Sequence, residues 1–138
     1  MNDEDLKRIL KSIHTIATVG LSSNPTKDSY EVAAYLKRQG YHVIPVNPTA
    51  TEILGEKVYP DLLSIPEKVD VVQVFRPSND VPPIVEQAIQ IGAKVVWMQA
   101  GISHPEAARI AEKAGLQVVM DRCMRATHIR LIGPTNFR

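Results

Sequence analysis

Three segments of the chain, AAYLKRQGYHVIPV, VEQAIQIGAKVVWM and ARIAEKAGLQVVM, follow one plan. Each reads as the end of a helix, a glycine, and then a short strand dense in β-branched residues. Gly40, Gly92 and Gly115 stand where a helix needs a left-handed residue to close its last turn. Their uneven spacing makes this a supersecondary rhythm and not a solenoid repeat. Strands are expected at 15–20, 42–46, 70–75, 94–98 and 117–120. These runs are continuously apolar instead of alternating, as in a parallel sheet covered on both faces. Strand–helix alternation then gives an α/β fold, a Rossmann-like, doubly wound and mainly parallel sheet of about five strands with helices on both faces.

The helix starts are also marked. Asp28-x-x-Glu31 and Ser103-x-x-Glu106 have capping-box spacing, and Asn79 or Asp80 suits the start of a third helix. Pro82 and Pro83 are tolerated there because first-turn amides have no helical acceptor. The inward face of that helix is expected to be Val81, Ile84, Val85, Ala88 and Ile89. The opening MNDEDLKRILKSI is amphipathic, with Leu6, Ile9, Leu10 and Ile13 at helical spacing, so residues 1–13 form an N-terminal helix that packs on its own domain or on a second copy. TEILGEKVYPDLLSIPEKV reads as loop with one short strand and one helical turn.

A length of 138 residues is that of one domain, 1–138, which buries roughly two-thirds of the surface its unfolded chain exposes. The net charge of +1 argues against nucleic-acid binding, which needs a concentrated basic surface. Arg122, Arg125, Arg130 and Arg138 gather late in the chain but read as a solvated face. No apolar run reaches membrane-spanning length, so no membrane partner is expected. With Cys123 as the one cysteine, an internal disulfide is excluded and a reducing, cytoplasmic location is expected.

Ligands of open parallel sheets bind at the carboxyl ends of the strands, where strand order reverses. The segments to read are therefore GLSSNPTK, NPTA, RPSND, QAGISH and DRCMRATH. After the first strand, Gly20 permits a tight turn, Ser22 and Ser23 add hydroxyls, and Lys27 adds a mobile cation. The helix start at Asp28 or Ser29 directs free amides at the loop, a setting that suits phosphate. The plainer reading is a turn whose serines satisfy backbone. Arg76, after Phe75, either meets a phosphate or pairs with Asp80. Trp97 reads as core.

Two absences narrow the ligand. A dinucleotide fingerprint needs G-x-G-x-x-G and an acid at the end of the second strand for the ribose hydroxyls. The loop has only Gly20, and the second strand ends Val46-Asn47-Pro48. No G-x-x-x-x-G-K-[ST] occurs either. A nicotinamide cofactor and an NAD(P)-dependent oxidoreductase are therefore disfavoured, and a phosphorylated ligand of another shape remains.

Taken together and in order, these segments resemble the CoA-binding domain at the front of the succinyl-CoA synthetase α subunit. They are still more similar to a family of stand-alone bacterial and archaeal proteins made of that domain. Gly20 to Lys27, Val46-Asn47-Pro48, Phe75-Arg76-Pro77, Trp97 to Ile102 and Val119 to Cys123 carry the likeness, which covers residues 5 to 133. The resemblance implies coenzyme A as ligand, with the Gly20-Leu21-Ser22-Ser23 backbone at the pyrophosphate. It implies Lys27 and Arg76 at phosphates, with Phe75 and Pro77 beside them, and Asn47 and Pro48 at the adenosine end. Met98, Gln99, Ala100 and Gly101 would line the pantetheine path. The synthetase's second α-subunit domain, with its phosphorylated histidine, and its ATP-grasp partner have no counterpart in the sequence, so CoA ligation by this chain alone is not expected.

No catalytic constellation is legible. His14, His42, His104 and His128 have no zinc-ligand spacing among themselves or with Cys123, and no G-x-S-x-G elbow occurs. Cys123, at a helix start between Arg122 and Arg125, is the one reactive candidate, able on this reading to form a mixed disulfide with the CoA thiol under oxidation. The favoured reading is a small buried apolar residue. The expectation is a non-catalytic CoA or acyl-CoA binding protein acting as carrier, sensor or regulator. The alternative is a CoA-dependent enzyme or subunit acting with a partner chain, and a homo-oligomer is compatible with either.

Overall fold

The computed structural model describes residues 1–134. Arg138, named above among the late arginines, lies outside them. The first helix, α1 (Asp3–Ser12), is opened by Asn2, whose side chain accepts the Asp5 amide at 2.9 Å. Strand β1 (Thr15–Val19), helix α2 (Asp28–Arg38) and strand β2 (His42–Val46) follow. A hairpin of β3 (Glu52–Ile53) and β4 (Glu56–Lys57) and a 3-10 turn at Leu62–Ser64 lead to β5 (Val71–Val74). The remainder alternates: α3 (Val81–Gln90), β6 (Val95–Met98), α4 (Pro105–Lys113), β7 (Gln117–Val119) and α5 (Met124–Leu131).

The main sheet has five parallel strands in the order β2-β1-β5-β6-β7. This is the expected Rossmann-like α/β arrangement. Strand order reverses at β1, which lies between β2 and β5. Helices cover both faces. Leu6, Ile9, Leu10, Val32, Leu36 and Met124 of α1, α2 and α5 pack with Ile16, Val43, Val71, Val95 and Trp97. On the other face, Val81, Val85 and Ala88 of α3 and Ala107, Ala108 and Ala111 of α4 meet Ala17, Ile44, Val72, Val74, Val96 and Met98. Successive strand residues point to opposite faces, so the strands bury apolar residues on both faces, with Thr15, Thr18 and Gln73 as buried polar exceptions. The N-terminal helix thus packs on its own sheet.

Between β2 and β5 no full helix forms. Leu62 and Ile65 of the 3-10 turn and its exit fill the place against α3. The segment therefore holds two short strands where one was expected. Pro45, which lacks an amide donor, falls in β2 at the sheet edge, where a lost ladder bond is tolerated.

The three helix ends close as their glycines predict. At Gly40, φ is +99°, its amide donates to Lys37 O and the next amide, Tyr41, reaches back to Leu36 O. The same pair of bonds recurs at Gly92 and Gly115. The helix starts differ from expectation. In α2, Asp28 is already helical and Lys27 is the N-cap without a side-chain cap bond, so the Asp28–Glu31 box does not form. In α4, Pro105 begins the helix one residue late for Ser103, and His104 Nδ1 accepts the Ala107 amide at 3.0 Å instead. Asp80 is the N-cap residue of α3 but makes no side-chain cap bond, because its carboxylate is turned to Arg76.

Asp70 fastens the amino edge of the sheet. Its Oδ2 accepts the amides of His14 at 2.8 Å and Thr15 at 3.0 Å, and its Oδ1 lies 3.5 Å from Lys94 Nζ. Burial works against its ionisation, but the two amide donors and Lys94 outweigh that and hold the carboxyl below its ordinary 3.8. The unfolded chain therefore takes up the proton first as pH falls, and the stabilisation from this group is lost through and below that value. Asp70→Asn should lower the unfolding free energy by about 1–2 kcal/mol at neutral pH. Urea titrations should show the gap to wild type closing in acid; a gap independent of pH would contradict the assignment.

Candidate functional site

At the carboxyl edge, the chain leaves β1 through Gly20, with φ +90°. Its amide donates to Val46 O at 3.0 Å. A Cβ added to it would lie 3.1 Å from Arg76 Cδ and 3.3 Å from the Phe75 carbonyl carbon. Both the left-handed φ and this close approach demand glycine. The loop that follows is bonded to itself. The Ser22 amide donates to Ser29 Oγ at 3.0 Å, Ser22 Oγ accepts the Asn24 amide, and Asn24 Oδ1 accepts from Thr26. Within this loop and the first turn of α2, the amides of Ser23, Asp28 and Ser29 meet no acceptor among the described residues.

Asn47, at the end of β2, is committed to its own surroundings. Its Nδ2 donates to Leu21 O at 2.9 Å, and its Oδ1 accepts from Thr49 and Ala50. It ties the turn after β2 to the loop after β1. Arg76, after β5, extends over Gly20, and its Nη2 lies 2.9 Å from Asp80 Oδ2. No ion pair engages Lys27 among the described residues.

These residues outline a trough in three connected parts. The first is a cleft of about 500 Å³ bounded by Gly20, Ser22, Asn47, Pro48 and Arg76, with Pro60 and Ile84 as apolar walls. It shares Gly20 and Ser22 with a second depression of about 310 Å³, reached by Lys27 and Phe75. That in turn shares Asp28 and Phe75 with a third of about 250 Å³, where Gln99 and Cys123 lie. The strand-order reversal at β1 sits beneath the first two.

Of the residues singled out from sequence, Gly20, Ser22, Lys27, Asn47, Pro48, Phe75, Arg76 and Gln99 border this trough. Leu21 is fully buried beneath the loop, and Met98 is fully buried in the core. Ser23 is exposed beyond the trough wall. Pro77 caps the 3-10 turn at Ser78–Asp80, and Gly101 donates its amide to Asp121 Oδ1 at 2.6 Å; neither borders the trough. Pro60 and Ile84 were not anticipated, because an isolated proline and a helix-face isoleucine carry no motif.

The histidines lie elsewhere. His128 is buried, with Nδ1 2.7 Å from the Tyr35 hydroxyl, and burial pulls its imidazole below the ordinary 6.5. His42 pairs with Glu67, and no cluster of His, Cys, Asp or Glu among the described residues is placed to hold a metal. No helix among those residues is long and apolar enough to cross a membrane. Trp97 is core, its indole donating to Arg122 O at 2.9 Å.

Residues 14–129 match the family described as CoA binding domain. The chain belongs to that family. The CoA-binding-domain chain is 38% identical over 124 residues to an uncharacterized protein, YneT, of Bacillus subtilis (strain 168), covering 90% of this chain and 92% of that one. It is 32% identical over 129 residues to the acetate–CoA ligase (ADP-forming) I subunit alpha of Pyrococcus furiosus, covering 89% of this chain but 27% of that subunit. A solved hypothetical protein from Pyrococcus horikoshii OT3 superposes with a TM-score of 0.94 at 46% identity, over 96% of this chain and 94% of that one.

The trough depends on the turn at Gly20. Gly20→Ala should lower stability by about 1–2 kcal/mol through the left-handed φ alone, and should push the Arg76 stem outward. Urea unfolding reads the first effect; an unchanged midpoint with an unchanged slope would show that the turn relaxes freely.

Proposed function

We propose that this chain binds coenzyme A or an acyl-CoA as its physiological ligand and acts as a non-catalytic carrier, sensor or regulator in the cytoplasm, with residues 1–138 working as one binding unit. What carries the reading, beside the family, is the continuous trough along the carboxyl edge. A compact nucleotide needs only its first part, whereas CoA is long, with phosphates near one end and a thiol at the other.

The donor set fits such a group. Lys27 and Arg76 border the two depressions that Gly20 joins, and the unengaged amides of Asp28 and Ser29 add neutral donors at the start of α2. Pro48, Pro60 and Ile84 give the first cleft apolar walls for an aromatic base. When bound, CoA supplies a thiol or thioester. The chain's own residues would orient it: Gly20 lets the backbone approach, Arg76 and Lys27 hold anionic oxygens, and Phe75 borders both the second and the third depression. A ribose diol would find no carboxylate at the end of β2, where the Asn47 oxygen is already saturated. That disfavours nicotinamide dinucleotides.

A second reading, a CoA-dependent enzyme subunit working with a partner chain, is favoured by the ligase relatives, of which this chain spans 14% to 27%. Turnover of acyl-CoA by the purified chain with no partner would point to an enzyme.

Thermal shift with CoA, acetyl-CoA, NAD and NADP tests the main reading. CoA at a hundredfold excess over its Kd should add about 2.7 kcal/mol of stability, and a larger response to NAD would overturn the choice. Lys27→Ala and Arg76→Ala should each weaken CoA binding by about tenfold, since charge-assisted contacts are lost. Both side chains are exposed, so the melting temperature of the unliganded protein should hardly move. Normal CoA binding by both variants would remove the phosphate assignment.

A further inference from the structure

The third part of the trough is built around an amide that the protein leaves half used. Gln99, directly after β6, is only 3% exposed. Its Oε1 accepts the backbone amide of Met124 at 2.9 Å and Gln73 Nε2 at 3.1 Å. A backbone amide can only donate, so the atom facing Met124 is the oxygen, and the orientation of the Gln99 amide follows. The same logic runs one step further. Gln73 presents its nitrogen to Gln99 and therefore its oxygen to Thr18, whose hydroxyl donates to it at 2.8 Å. Both Gln73 and Thr18 are fully buried in the sheet.

The chain of bonds leaves Gln99 Nε2, with two N–H donors, facing away from all of them. No acceptor among the described residues meets it. Every fully occluded side-chain nitrogen and oxygen among those residues has a partner, so this one reaches the cavity surface. The cavity is about 250 Å³, walled by Val32, Phe75 and Cys123, with Asp28 and Arg125 at its margin. The donor is therefore open to the cavity, where a ligand oxygen could accept from it in place of solvent. The cavity is of mixed character, with Val32, Phe75, Ala100 and Cys123 beside the charged Asp28 and Arg125, and it lies at the far end of the trough from the Asn47–Arg76 cleft.

We propose that this cavity is an acyl subsite, in which Gln99 Nε2 donates to the carbonyl oxygen of a short acyl thioester, so that the protein prefers acyl-CoA to ligands lacking that carbonyl. The inference rests on the CoA reading above and sharpens it. Gln99 is then a specificity-determining residue. The volume of about 250 Å³, with Val32, Phe75 and Ala100 in its lining, suits a short acyl chain.

The test compares acetyl-CoA with S-ethyl-CoA, in which a methylene replaces the carbonyl, by calorimetry, with CoA itself as control. Wild type should bind acetyl-CoA about tenfold more tightly than S-ethyl-CoA, the worth of one such hydrogen bond. In Gln99→Glu, which keeps an acceptor for Met124 and Gln73 but turns the free donor into an oxygen, the ratio should fall to about one. Equal affinities in wild type would overturn the subsite even if CoA binds well. They are also the result expected if the amide meets a pantetheine carbonyl, which both ligands carry. A preference that survives in Gln99→Glu would remove Gln99 from the assignment. Failure of CoA to bind at all would instead sink the reading on which the inference stands.

Discussion

Gly20 lies with its amide on the Val46 carbonyl and its α-carbon against the Arg76 stem, so three strand ends are pinned at one residue. Strand β1 runs between β2 and β5, so the loops that leave both neighbours at the carboxyl edge lie beside its own. A side chain at this point would hold the β5 loop away from the β1 loop. The first cleft and the second depression share Gly20 and Ser22 because the backbone is this close. The three glycines of a dinucleotide loop are thus not needed to bring backbone to the edge; one suffices, with Ser29 and Asn47 fixing the loop around it.

Beneath that edge, the Thr18–Gln73–Gln99 chain threads three strands, β1, β5 and the exit of β6, and ends on the first amide of α5. Polar side chains buried in the middle of a parallel sheet are costly unless every group is used. Here each is used except the last donor, and the last donor opens into the trough. The interior of the sheet and the far end of the trough are therefore one hydrogen-bonded unit, so the orientation of a surface group is determined by residues that no ligand touches.

Much of the fold was legible because its signals are local. Glycines at 40, 92 and 115 end helices through backbone bonds that need no tertiary context, and the apolar strand runs report burial on both faces. The helix starts were less legible. Ser103 has the right chemistry for a cap, but Pro105 shifts the start to His104, and which residue caps depends on where the chain arrives from β6. Helix α5 hides its inward face, since Thr127 and His128 are buried there and give no apolar periodicity. Gly20, Asn47 and Arg76 border one cleft, as their places after neighbouring strand ends of an open sheet led one to expect. The orientation of the Gln99 amide was not legible, because it depends on Thr18 and Gln73, which are remote in sequence and adjacent only across the sheet.

The charges on the carboxyl edge are mixed, with Lys27, Arg76 and Arg125 against Asp28 and Asp80. A strong positive field is therefore not what would draw an anion here, in keeping with a net charge of +1. The Arg76–Asp80 pair is solvent-exposed and i,i+4 on its own loop and helix start. Such a pair is worth little, so a phosphate oxygen would replace Asp80 on the guanidinium at small cost. Until then Asp80 holds the arginine over Gly20 in one orientation, and this lowers the side-chain ordering left for binding. The same carboxylate, close to any bound anion, opposes anions that cannot also fill the apolar parts of the trough. On the proposed reading, discrimination would come from length and shape along the trough, with Gln99 placed at its far end.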